Sequence, residues 1–244
     1  MFSKFLAIVY AFLHFTMILT GLPGYSCDKV WLSPSLIISR ISAEFESGHE
    51  ITMILRRAYV QENGPQGELY GDCIFVFNQL PEHPFGLYRY EHVIPFQVYK
   101  PLRLRAGDIN GDGMPELSIM VYKTTPLDPV MAKRPFFYNY SDGAIYPLWR
   151  GSRLSRPFED YDLWDSGNGG AFYLLSTEYL SDGRMVLALY EWDDFGFVRI
   201  SQSKPYISLR LLPQTVPGII TALDSKDTPL SFYYENNEIK ESVN

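Results

Sequence analysis

Asp108, Asn110 and Asp112 alternate along one short stretch, and Glu116 follows four residues later. Alternation lets three side-chain oxygens converge. Gly113 permits a positive-φ bend that carries Glu116 back to the same centre. With the backbone carbonyl of Met114, the nine residues from Asp108 to Glu116 offer hard oxygen ligands at positions 1, 3, 5, 7 and 9, a set that suits Ca²⁺. Three acidic side chains so close repel one another without a cation. The alternative is an acidic, glycine-rich hairpin that binds nothing. An EF-hand is excluded, because it needs a bidentate Glu at position 12, where this chain has Ile119.

Other chemistry is sparse. Beyond the first 26 residues the histidines are His49, His83 and His92, with no metal-ligand spacing. There is no G-x-S-x-G nucleophile elbow. Gly167-Asn168-Gly169-Gly170 could form an anion nest, but it has no basic partner and opens no helix, so a plain turn fits better. Acid pairs of the glycosidase kind can form between distant strands, and sequence spacing does not reveal them. Tyr88, Tyr90, Tyr138, Tyr140, Trp149, Trp164, Tyr190 and Trp192 fall on or beside expected hairpins. Such rings either stack on sugars or a protein partner or pack between sheets.

The elements that must position the loop are strands. Leu117 to Tyr122 is apolar and rich in β-formers. The same plan recurs over Ile41–Leu55, Arg105–Val121 and Glu159–Ser176: short strand, acidic turn, glycine, apolar strand. An aromatic hairpin follows each time: Cys73–Tyr99, Phe136–Trp149 and Met185–Ser201. Repetition of about four short strands is the signature of a propeller blade. The expected fold is therefore all-β and propeller-like, with three recognisable four-stranded repeats near 36–100, 101–156 and 157–206 inside a domain of 36–206. Residues 27–35 lead in, with Trp31 as an anchor, and 207–244 supply two further strands and a polar tail. Thr124 to Arg134 reads as a loop with two prolines. Three blades are fewer than the four to eight of closed propellers, so the closure of the stack is left open.

The pattern D-x-N-x-D-G-x-x-E before an apolar strand resembles the calcium loop of FG-GAP/VCBS-type β-propeller repeats. The resemblance implies metal roles for Asp108, Asn110, Asp112, Met114 through its carbonyl, and Glu116. It does not extend to the turn holding Glu44, Glu46 and Glu50, or to that holding Asp162, Asp165 and Asn168, which lack the spacing.

Residues 1–26 have the form of an export signal. Lys4 is followed by the apolar run Phe5–Leu22, then by Pro23-Gly24, with the small residues Gly24 and Ser26 before Cys27. An uncleaved N-terminal membrane anchor is the alternative. Cys27 also has two readings. Gly24-Tyr25-Ser26-Cys27 partly matches the box before a lipidated cysteine, and a Cys27–Cys73 disulfide suits an oxidising compartment.

The chain has 244 residues, 16% of them aromatic, and a formal charge of −7 without a basic run, which argues against nucleic acid as a partner. The expectation is an exported, non-enzymatic binding or surface module of the cell envelope, with one structural calcium. Its ligand would be a protein or glycan, and the membrane would be reached through Cys27 or the N-terminal segment. A secreted carbohydrate-active enzyme or its accessory domain, and a self-assembling structural domain, are the alternatives.

Overall fold

A computed structural model describes residues 29–46, 48–58, 67–78, 86–151 and 153–242. The expected export signal, Cys27, His83 and residues 59–66 lie outside them. The described chain is all-β, with two single-turn 3-10 segments and no α-helix among the described residues.

β1 (Lys29–Leu32) comes first. β2 (Ile37–Glu46), β3 (His49–Arg57) and β4 (Gly71–Phe77) then form an antiparallel meander. β5 (Gly86–Arg89) turns away to pair with β1, and β6 (His92–Pro95) completes the first sheet beside β4. The second sheet is the meander β7 (Pro101–Gly107), β8 (Glu116–Thr125), β9 (Asp128–Ser141) and β10 (Ala144–Arg150). The third is β11 (Phe158–Trp164), β12 (Tyr173–Tyr179), β13 (Met185–Trp192) and β14 (Phe197–Gln202). The fourth is β15 (Arg210–Leu211), β16 (Ile220–Leu223), β17 (Pro229–Glu235) and β18 (Glu238–Glu241).

The sheets stack because their central strands are apolar on both faces. Side chains alternate across a strand, and here each alternate set enters a different core. Leu117, Ile119 and Val121 of β8 join Met53, Leu55, Ile74 and Val76 of the first sheet. Met120, between them, joins Phe137, Tyr161, Leu163 and Leu174 on the side of the third sheet. Leu175, Leu187 and Leu189 meet Ile220, Ala222 and Phe232 of the fourth. Ile54, Phe75 and Phe77 are covered by Val30 and Leu32 of the β1–β5 ribbon.

The first strands of the second and third sheets are joined by charge. Arg103 pairs with Asp160, and Arg105 Nε lies 2.6 Å from Asp162 Oδ1. A buried hydroxyl pair, Ser118 Oγ and Tyr161 OH at 2.6 Å, ties the same two sheets. Ser39 Oγ accepts from Leu104 N at 3.0 Å, linking β2 to β7. Gln214 exchanges two bonds with the backbone of Asp165, linking the third sheet to the fourth.

Several expectations change. There are four four-stranded sheets, not three repeats. The segment 207–244, expected as two strands and a tail, supplies the fourth. Its first strand has two residues and its last is polar, so neither carries an apolar run. Asn236 and Asn237 both adopt positive φ and turn β17 into β18. Asp142 and Gly143 do the same between β9 and β10, as expected. Thr124–Arg134 is a hairpin rather than a loop. Arg134 is fully buried there and binds Asp128, Val130 O and Lys123 O. Asp162 lies in strand β11, not in a turn, and Glu44 and Glu46 lie on β2.

The Ser118–Tyr161 bond yields a test of sheet coupling. Tyr161→Phe or Ser118→Ala alone leaves one buried hydroxyl without its partner, a cost of about 1–3 kcal/mol. The double variant removes both, so urea unfolding should give it less than the summed loss; additive losses would show that the two groups do not interact.

Candidate functional site

The loop Asp108–Pro115 is closed at its base by the β7–β8 ladder, where Gly107 faces Glu116. Inside, each polar side chain accepts from the loop's own backbone. Asp108 accepts from Gly111 N at 2.7 Å and Gly113 N at 2.8 Å. Asn110 Oδ1 accepts from Asp112 N at 2.9 Å, and Asp112 Oδ1 from Met114 N at 2.8 Å. Gly111 and Gly113 adopt φ of 77° and 88°, which a side chain would strain. Ile109 is buried in the core shared with the third sheet, and Phe172 N donates to Asp108 O at 2.6 Å. The loop therefore sits at the junction of the second and third sheets.

Glu116 is the unusual member of the set. It is 2% exposed, and its Oε2 accepts from Ile109 N at 2.9 Å. Burial, with Asp112 and Asp108 nearby, pushes its carboxyl up to about 7, against the stabilising bond from Ile109. A buried carboxylate beside two others is the charge arrangement that a divalent cation would relieve. Among the described residues, no three His, Cys, Asp or Glu side chains are gathered as a metal cluster. The loop's oxygens are spread over backbone amides instead, and the donor set, all hard oxygen, is of the type Ca²⁺ prefers.

The other sequence candidates are dispersed. Cys73 is a buried free thiol that donates to Asp72 Oδ1 at 3.0 Å, and burial raises its pKa. Tyr138, Tyr140, Trp164 and Tyr190 are core residues, and Trp149 and Trp192 pack against the core between the second and third sheets. His49 and His92 are exposed. Asp165 Oδ1 already accepts from Gly167 N at 2.7 Å, so that turn is capped by its own side chain.

A cavity of about 760 Å³, lined by residues of all four four-stranded sheets, has no counterpart among the sequence motifs. At its wall Lys133, with a side chain 8% exposed, lies 3.0 Å from both Glu68 Oε1 and Glu159 Oε1. Glu159 Oε2 accepts from Tyr179 OH at 2.7 Å, and the bonds from Tyr179 and Lys133 outweigh burial and lower its pKa. Arg57, Arg103 and Asp160 also face the cavity. One signal was available. Arg103 and Arg105 alternate on one strand, and Asp160 and Asp162 on another, which is complementary at the strand period.

No family model matches this chain, and no curated protein does. Among solved structures, it is similar to a Xanthomonas type IV secretion system related protein, at 13% identity and a TM-score of 0.34. That match covers 84% of this chain and 93% of the other. A candidate 6-phosphogluconolactonase from Bacteroides fragilis gives 10% identity and a TM-score of 0.39, covering 84% of this chain and 82% of the other. These scores are below the level at which a likeness carries an argument about fold or function.

The loop geometry predicts that Asp112→Ala lowers the melting temperature more in ~10 mM calcium than in chelator, where only the loop's own bonds to Asp112 are lost. The wild-type gain from calcium should be ~1–3 kcal/mol, for Kd values of about 10⁻⁴ to 10⁻³ M. Equal melting of wild type and variant in calcium would reduce the loop to a turn.

Proposed function

We propose that this chain is an exported, propeller-like binding module of the cell envelope. Its four sheets act as blades around a ligand cavity, and one calcium ion braces the loop Asp108–Glu116. The observation that carries the reading is the cavity, to which every four-stranded sheet contributes. Its size falls within the ~300–1,000 Å³ of small-molecule sites. Polar and apolar groups share its wall, with Lys133, Glu159 and Arg103 beside Leu102 and Met120. The calcium reading draws support from the buried Glu116 and the oxygen-only loop. Export and envelope attachment, through a lipid on Cys27 or an N-terminal anchor, rest on the sequence of residues 1–27.

A second reading, a carbohydrate-active enzyme, is favoured by one observation. Glu68 and Glu159 flank a single lysine in a concave site. Glycosidase chemistry needs one carboxyl held protonated and one ionised. Glu159 is held ionised, which suits binding or the second role only.

Both readings meet in one experiment. A panel of sugars and organic acids is screened by thermal shift in millimolar calcium, with product analysis. Ile207, at the cavity wall and 77% exposed, is replaced by Trp to obstruct the cavity without disturbing a core. A binding module gives a stabilising ligand, unchanged after incubation, whose affinity falls at least ~10-fold in Ile207→Trp. Turnover abolished by Glu159→Gln would replace this reading with the enzyme.

A further inference from the structure

The cavity has a hydrogen-bonding imbalance. Its acceptors are largely committed. Glu159 Oε1 is bonded to Lys133 and Oε2 to Tyr179. Asp160 Oδ1 accepts from Tyr161 N at 2.8 Å, and Oδ2 from Arg103. Glu68 Oε1 accepts from Lys133 at 3.0 Å. Lys133 directs its remaining bond to Glu159 O at 2.8 Å, so its three protons are also committed.

The unused capacity is on the donor side. Arg57 lines the cavity, and among the described residues its guanidinium has no hydrogen bond or ion pair. Arg103 engages Asp160 through one nitrogen and leaves the rest of its fork unused. A guanidinium carries five N–H donors and no acceptor, in a planar fork that matches carboxylate and phosphate oxygens. Leu102, Met120 and Leu209 supply apolar wall beside these donors.

We infer that the cavity takes a small organic oxyanion, its anionic head held by Arg57 and the unused edge of Arg103, its apolar body against Leu102, Met120 and Leu209. This rests on the reading of the cavity as a ligand site and adds the class of ligand. A neutral sugar would leave the Arg57 charge uncompensated. A cation would meet the Arg57 guanidinium, which no carboxylate opposes among the described residues.

The test uses two fluorescent probes with nearly the same apolar body. 1-Anilinonaphthalene-8-sulfonate carries an oxyanion, and N-phenyl-1-naphthylamine does not. The full chain, Arg57→Ala and Arg57→Lys are titrated with each, after melting curves show that all three are folded. The expected result is saturable binding of the sulfonate at one site. Arg57→Ala weakens it at least ~10-fold, the scale of a lost hydrogen bond to a charged group. Arg57→Lys restores part of the affinity, because it keeps the charge and loses the fork. The neutral probe changes less than ~2-fold in both variants. Displacement of the sulfonate by inorganic phosphate or by benzoate separates phosphate from carboxylate heads. Sulfonate binding that is indifferent to Arg57, or displaced by neither anion, overturns the inference and leaves the ligand cavity standing. Failure of both probes to bind saturably in the wild type overturns the cavity reading as well.

Discussion

Strands that are apolar on both faces cannot be covered by a single partner layer, and this chain has them in three successive sheets. Met185 to Tyr190 is buried without interruption. Glu116 to Val121 and Ile51 to Leu55 show the same run. Each sheet must therefore lie between two others, or between one sheet and a cover. The β1–β5 ribbon covers the outer face of the first sheet. Burial is a non-directional driving force, and the polar links between sheets give the stack its register. Arg103–Asp160, Arg105–Asp162 and Ser118–Tyr161 fix the second sheet on the third. Ser39 and Gln214 do so for the neighbouring junctions.

The same geometry creates the two places where chemistry is concentrated. First strands from successive sheets face a shared space, and charged side chains that cannot enter an apolar core collect there in pairs. At one end of the junction between the second and third sheets, the acidic loop is held by Ile109 in the core and by Phe172 on the backbone of Asp108. Glu116 is buried as a consequence of lying at the first position of β8. Placing a carboxylate there has an electrostatic cost, visible in its raised pKa. A cation that offsets this cost would stiffen the junction that also carries the Arg–Asp pairs of the cavity wall.

Much of the fold was legible in the sequence because periodicity reports burial. The apolar strands of the first three sheets stand out, and Asp142-Gly143 announces its turn. The fourth sheet did not stand out. β15 is two residues long, β18 reads Glu238-Ile239-Lys240-Glu241, and only Ile239 of β18 is buried. The hairpin at Thr125–Asp128 was obscured by its two prolines, and by a buried arginine that composition marks as a surface residue. The acidic loop was legible as a motif, since its oxygen-bearing side chains lie within nine consecutive residues. The cavity was not, because Arg57, Lys133 and Glu159 come from three different sheets and only tertiary packing brings them to one space. The tyrosines and tryptophans flagged as possible platforms proved to be mostly packing residues, since their rings fill the cores between sheets.

Under the proposed reading, the loop from Asp108 to Glu116 is a calcium site at the junction of the second and third sheets. Isothermal titration of the full chain with calcium chloride tests it most directly. The expected result is one ion per chain with a Kd of about 10⁻⁴ to 10⁻³ M, displaced by chelator. Absence of saturable binding up to about 10 mM, ten times the weak end of that range, would contradict it and leave the acidic loop as a turn shaped by its own backbone bonds.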